Sequence, residues 1–264
     1  IVTILTLVSL LAVYSSTKTL AYKFQSGNTE YYLFKHLSLI IAGLALMWFA
    51  HLLDYRYYSR ISQILLFISI PLLLYTLLFG SEINQASRWI TIPFTGQTFQ
   101  SSDLAKLALI MFLARELSRR QENIKDFKKS FLPILLSVCA IIALIAPANF
   151  STAIMLFGTC CLIMLIGRVS FKQIFLSCIA VGAILLMVIF FGPRRETYKS
   201  RIMTYLNNEK VDADKRYQSD QAKIAIATGG IFGKGPGNST QQNYLPQASS
   251  DFIYTIIIEE YGLV

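Results

Sequence analysis

Between Ile174 and Phe191 the chain runs through an apolar stretch without one charged residue, and similar runs recur along most of its length. A sequence so built has few solvents open to it. Hydrophobic residues make up 54% and charged residues 15%, with a mean hydropathy of +0.52. A soluble domain of 264 residues needs more charge on its surface. A bilayer does not, and about 20 apolar residues suffice to cross its core. Backbone polar groups in lipid need partners within the chain, so the runs read as helices. A spanning barrel would show shorter, strictly alternating segments, and none is seen.

The runs are Ile1–Ser16, Phe34–Leu53, Ile61–Leu78, Leu104–Leu117, Phe131–Ile145, Ala153–Ile166 and Ile174–Phe191, with another opening at Asp251. The expected fold is an all-α polytopic membrane protein with seven transmembrane helices and the start of an eighth. Residues 1–264 form one transmembrane domain, in which 192–250 is a large loop between helices seven and eight. Because the chain begins without Met inside an apolar run, it is expected to be a piece of a longer polytopic protein. Its first segment lacks a basic leader and is followed by more spans, so it does not read as a signal peptide.

The formal net charge of +9 would suggest nucleic acid in a soluble protein. Here it reads as the basic bias of cytoplasmic loops and attraction to anionic headgroups. Arg56 and Arg60, then Arg115, Arg119, Arg120, Lys125, Lys128 and Lys129, then Arg168 and Lys172 lie in three short loops expected on one side. That side should be cytoplasmic, which turns 80–103, the Pro147–Asn149 corner and 192–250 outward. Cys139, Cys160, Cys161 and Cys178 all fall in apolar runs without CxxC spacing, so neither a zinc site nor a disulfide framework is expected. His36 and His51 read as interfacial residues, not as metal ligands.

The polar residues that a span does not need are concentrated in two places. In 80–106, Arg88 offers a fork suited to phosphate, and Asp103 and Lys106 share a helix face. Ser101 or Ser102 as N-cap, with Asp103 complementing the helix dipole, covers part of this. Lys106 is left over, a cation in a first turn near the membrane boundary. In 192–250, Asp212 and Asp214 stand among Lys210, Lys215 and Arg216; each could be a general base or part of a solvated charge run. The segment GGIFGKGPG holds Gly229, Gly230, Gly233, Gly235 and Gly237, marking positive φ angles or close backbone approach. It is not a P-loop, since Lys234 is followed by Gly235. Asn238-Ser239-Thr240 is formally a glycosylation sequon and reads as chance. Asn149 or Ser151 can cap the sixth helix and Asp251 the eighth. Glu259 and Glu260 stand well inside an apolar run, where a carboxylate needs a partner or a task.

NQASRWI, QSSDLAK, PANFSTA, the block from YQSDQAKIAIATGGIFGKGPGNSTQQNYLPQASSDFIY, and EEYG resemble, in order, the SEDS proteins of the FtsW and RodA group. The resemblance covers essentially the whole chain. It departs at Ser101-Ser102-Asp103, where the family reads PSE, and at Asn149, where an acid is usual. SEDS proteins have about ten spans. The GPGNSTQQ piece is most similar to the cell-division type.

The resemblance implies a peptidoglycan glycosyltransferase that polymerises lipid II at the outer face of the bacterial cytoplasmic membrane, at the division septum. Asp212, or alternatively Asp214, would be the catalytic base. Arg88, Lys106, Asp103, Arg201 and Gln218 would bind substrate and its diphosphate. The glycines and Asp251 would shape the loop. Mg²⁺ or another divalent cation could assist, without a dedicated protein cage. Partners would be lipid II, a class B penicillin-binding transpeptidase and other divisome proteins, with no nucleic acid. The rival readings are a lipid II flippase and a division scaffold that positions the transpeptidase.

Overall fold

The computed structural model describes residues 1–17, 21–22, 27–83, 86–91, 98–192, 195–197, 213–245, 248 and 250–263; for 81–88, 91 and 213–216 the description is of the backbone. These residues fall into two compact units, Ile1–Leu53 with Thr204–Val264, and Asp54–Met203.

In the first unit, α1 (Val2–Ser16) packs against α2 (Thr29–Leu52), and α8 (Ala213–Gly229) packs against α9 (Ile253–Tyr261). Asn28 starts α2 by accepting the Tyr31 N–H at 3.2 Å. None of the 24 residues of α2 is buried. Its Leu46, Trp48 and Phe49 are each more than 60% exposed, the surface expected of a helix facing lipid.

The second unit holds α3 (Tyr55–Phe79), three short strands, α4 (Ser101–Arg119), α5 (Leu132–Ile145), α6 (Phe150–Ile166) and α7 (Phe171–Phe191). Its core is built on α4. Ala105, Ala108, Leu109, Leu113 and Leu117 recur at helical spacing and are buried. They join Leu66 and Leu73 of α3, Ile134, Val138, Ile141 and Ile142 of α5, and Cys160 and Met164 of α6. Small residues let backbones approach where no hydrophobic effect drives helices together. Ala105 and Ala108 do this on α4. On α3, buried Ser62, Ser69 and Thr76 repeat every seven residues, each hydroxyl bonded back to its own helix. The α3–α4 pair is tied at both ends, by Thr76 Oγ1 to Ser101 Oγ at 2.8 Å and by Arg115 Nε donating to Ser59 Oγ at 2.7 Å.

Four helical segments are long and apolar enough to cross a membrane among the described residues: Thr29–Leu52, Tyr55–Phe79, Phe127–Ile145 and Phe171–Phe191. Val2–Ser16 and Phe150–Ile166 are apolar but shorter. The 19-residue α4 is long enough but carries Asp103, Lys106, Arg115, Glu116 and Arg119. The mostly helical membrane architecture is as expected, and several details differ. Helices start before the apolar runs do: α2 at Thr29 instead of Phe34, α3 at Tyr55 instead of Ile61. An apolar run marks what lipid needs, whereas a helix continues until a cap stops it. Asp54 caps α3 through the Arg56 N–H, and Asn149 caps α6 through the Thr152 N–H. The turn ahead of α5 is π-helical over Phe127–Phe131. Residues 80–100 are not plain loop. β1 (Ser81–Ile83), β2 (Ala86–Thr91) and β3 (Thr98–Gln100) form an antiparallel sheet in that order, with Trp89 opposite Gln100. Its Trp, Ile, Thr and Phe residues favour a pleated surface. The stretch 192–250 contains α8, whose Ala222, Ala225 and Ala227 are strong helix formers.

The three basic loops of this unit lie at one end of it. Arg115 reaches Ser59, Gln173 Nε2 donates to the Lys125 carbonyl at 3.0 Å, and Gly167 packs on Leu117. At the other end, a small cavity is bordered by Thr76, Ser101, Ser102 and Asn149, so the Pro147–Asn149 corner lies beside the head of α4.

Replacing Ala108, which is fully buried, with Leu overpacks this seam. The expected cost is about 1–3 kcal/mol, read as a lower melting temperature of the full-length protein in detergent; Met155→Leu on the exposed face of α6 leaves it unchanged.

Candidate functional site

Two polar constructions stand out, one in each unit. In the second unit, Gln100 is the N-cap residue of α4, and Ser101 and Ser102 already lie inside the helix. This corrects the expectation that one of the serines is the cap: Ser101 is spent on Thr76, and Ser102 accepts from Gln100 Nε2 at 2.8 Å. Asp103 and Lys106 meet as an ion pair, Nζ to Oδ1 2.7 Å, with Lys106 about one-third exposed. The pair is therefore open to solvent or ligand and contributes little to stability. Arg88 lies on β2, next to Trp89, whose partner Gln100 leads into α4.

In the first unit the glycine-rich segment wraps α9. The chain leaves α8 at Gly229, and Gly230, Gly233, Gly235 and Gly237 all have positive φ. Lys234 N–H and Gly235 N–H donate at 2.9 Å to the Glu259 and Glu260 carbonyls. Two carbonyls of the last turn of α9, which would lack intrahelical partners, are thus satisfied by the loop. A Cβ on Gly229 would overlap the Ile258 carbonyl oxygen, and one on Gly233 the Glu260 carbonyl oxygen. At both positions the missing Cβ lets the loop backbone lie directly on α9.

The side chain of Glu259 has no exposed surface and lies under the same loop. Its Oε1 accepts from Lys234 Nζ at 2.6 Å, Thr240 Oγ1 at 2.9 Å and Thr240 N–H at 3.2 Å. Its Oε2 accepts from Ser239 Oγ at 2.5 Å and Gln241 N–H at 3.3 Å. A buried carboxylate without partners would cost several kcal/mol, and five donors remove that cost here. Neighbouring Glu260 takes the Ser15 hydroxyl of α1 at 2.5 Å, and Gln242 Nε2 donates to the Ser15 carbonyl at 3.1 Å. The two acids therefore bind opposite neighbours, the loop and the first helix. Lys234, Ser239, Thr240 and Ser15 were not singled out by sequence, and Ser239 and Thr240 were set aside as a chance sequon. The signal was present in the paired acids: two carboxylates in an apolar run demand donors, and Lys234 was the cation in the adjoining loop.

The remaining expectations divide plainly. Asp212 and Arg201 lie outside the described residues. Asp214 belongs to the first turn of α8, and Gln218 sits half-buried one turn further on. Asp251 is exposed in the turn before α9, whose N-cap is Phe252 without a side-chain bond, so Asp251 does not cap it. Phe252 stands between Asp251 and the first helical residue, Ile253, so Asp251 is one position short of the N-cap. Among the described residues, no group of three His, Cys, Asp or Glu side chains could hold a metal ion.

Apolar spans with a polar loop folded over a buried acid, and an open ion pair at the head of a core helix, define a polytopic membrane protein built around polar sites. The chain belongs to the FtsW/RodA/SpoVE family of cell cycle proteins, whose family model it matches over residues 1–264. It is similar to the probable peptidoglycan glycosyltransferase FtsW of Idiomarina loihiensis, 31% identical over 242 residues, covering 90% of this chain and 58% of that one. It is 33% identical over 259 residues to the protein of the same name from Nitrosomonas europaea, covering 96% and 65%. The chain thus spans about three-fifths of the length of these relatives. In fold it is similar to a chain of a peptidoglycan synthase complex solved to show coordination of polymerization and crosslinking. The TM-score is 0.62 at 19% identity, covering 97% of this chain and 70% of that one.

Glu259→Gln keeps the shape of the buried side chain but leaves Lys234 without its counter-charge. The expected loss is ~2–3 kcal/mol, below that of a fully buried pair because Lys234 keeps some water. Faster limited proteolysis between Gly230 and Leu245 in the full-length protein, with Ser239→Ala giving a smaller effect, is the readout.

Proposed function

We propose that the protein to which this chain belongs is a peptidoglycan glycosyltransferase of the division type, polymerising lipid II at the outer face of the bacterial cytoplasmic membrane. The observation that carries this reading is the family match over all 264 residues, on a chain whose relatives bear that activity in their names. The open Asp103–Lys106 pair is the structural feature that suits it. A lipid-linked diphosphate needs cations at the membrane boundary, and Lys106 stands at the head of a membrane-core helix with Asp103 holding its ammonium.

In this reading the 4-hydroxyl oxygen of the acceptor sugar attacks C1 of the donor sugar. A bond forms from that oxygen to C1, and the bond from C1 to the undecaprenyl diphosphate oxygen breaks. The hydroxyl proton passes to the carboxylate of Asp212, or of Asp214, acting as general base. The diphosphate leaves with the electron pair of the broken bond. Lys106, with Arg88 and Arg201, neutralises the charge that grows on it. Mg²⁺ or another divalent cation carried by the diphosphate would add to that neutralisation. Gln218, half-buried on α8, is a candidate hydrogen-bonding group for the sugars. The fold neighbour's complex suggests a crosslinking partner, for which a class B penicillin-binding transpeptidase has the right chemistry. Action at the septum, with other divisome proteins, is part of this reading, and the relatives named FtsW support it.

Purified full-length protein with its transpeptidase partner and labelled lipid II tests this. Asp212→Asn is expected to lower chain formation about 10²–10⁴-fold. Chains that persist in both Asp212→Asn and Asp214→Asn remove both assignments. Absence of chains in wild type, with lipid II crossing liposomes, favours a flippase instead. Normal growth of cells carrying Asp212→Asn favours a scaffold.

Lys106→Met is expected to lower kcat about 10²-fold, because it removes one stabilising charge from the leaving group. Lys106→Arg should recover part of the loss. A change in KM alone would assign Lys106 to ground-state binding.

A further inference from the structure

The second unit carries another polar construction, at the end opposite Lys106. The first turn of α3 and the last turns of α4 enclose a cleft of about 600 Å³. Tyr55, Arg56 and Ser59 line it from α3; Met111, Arg115 and Arg119 line it from α4. The last three stand four residues apart on one helix face, so the wall grades from thioether to two guanidinium groups within about two turns. The volume is that of a small-molecule site.

The charges of this cleft are unequal. Glu116, buried beneath it, is engaged by Arg120 Nε at 2.7 Å and by Arg115 Nη1 at 3.4 Å. Arg115 is further fixed by Ser59, and Arg120 also donates to the Lys129 carbonyl. Asp54 is turned to the backbone N–H of Arg56. Among the described residues, the guanidinium groups of Arg56 and Arg119 have neither ion pair nor hydrogen bond, and both residues are exposed. Four arginines face two acids, and the acids already have donors. A site with two free guanidinium forks seeks a phosphate.

A soluble anion would use only the basic half of the cleft. Met111 and Ala114 extend it toward the hydrocarbon, and exposed Ile64, Phe67 and Ile68 continue α3 in the same direction. Tyr55 and Tyr58 sit on its border, where amphipathic rings favour the membrane interface. We propose that this cleft holds the phosphodiester headgroup of an anionic phospholipid, with Arg56 and Arg119 on the phosphate and an acyl chain running past Met111. The lipid belongs to the leaflet on the side of the three basic loops. It ties the beginning of α3 to the end of α4 at the bilayer surface. Nothing in the proposal depends on the polymerase reading.

The test uses the full-length protein in nanodiscs of phosphatidylcholine mixed with phosphatidylglycerol. Lipid retained after detergent extraction is counted by mass spectrometry. Wild type is expected to retain phosphatidylglycerol preferentially. Arg56→Gln and Arg119→Gln should each reduce retention about fivefold. Both side chains are exposed and unpaired, so the fold tolerates the changes. Lys128→Gln with Lys129→Gln, which removes two charges outside the cleft against one for each arginine variant, should leave retention unchanged, as should millimolar inorganic phosphate. An equal loss from the lysine pair would reduce the effect to diffuse surface charge. Displacement by inorganic phosphate would make this a soluble-anion site. Either result, or no preference for phosphatidylglycerol, overturns the proposal.

Discussion

A polar group that enters hydrocarbon must bring its partner along, because no water is available to replace it. This constraint explains most of what is specific about the chain. The buried hydroxyls of Ser62, Ser69, Thr76 and Ser177 donate to carbonyls of their own helices, and thus take part in packing without leaving a donor free. Glu259 meets the same demand on a larger scale. Four of its five donors come from three consecutive loop positions, Ser239 to Gln241, and the fifth is Lys234, drawn together by glycines that let the backbone turn. The loop is shaped by the acid as much as the acid is held by the loop.

The apolar runs make the helices legible in the sequence, because the bilayer imposes both a length and a composition. They did not reveal where the helices begin. Asn28, Asp54 and Asn149 do that through single side-chain bonds, which are local events without hydropathic signal. The small sheet of 81–100 was missed for a related reason: strands of three to six residues carry too short an alternation to stand out. Glu259 and Glu260 were recognised as needing partners, but the partners were not, since Ser15 is 245 positions away and Ser239 and Thr240 look like any polar turn. Lys106 and Asp103 were readable as a pair because their spacing is local.

The polar chemistry is divided between two compact units, and the division has a physical basis. Ion pairs at the head of a helix can stay open and exchange partners with a ligand. A carboxylate with five donors cannot, since each donor would need replacing at once. Glu259 is therefore suited to hold shape and the Asp103–Lys106 pair to exchange partners. The carboxylates proposed for proton transfer, Asp212 and Asp214, precede or open α8, which runs directly into the glycine loop. Their backbone is thus continuous with the segment that Glu259 organises.

The bonds at the two ends of the α3–α4 seam have a mechanical consequence. Ser59 and Thr76 are separated by about five helical turns along α3, and Arg115 and Ser101 by about four along α4. Axial slip of one helix past the other would break both bonds together. The pair therefore resists shear along its axis, and its arginine end and the end that bears Lys106 are two ends of one tied seam.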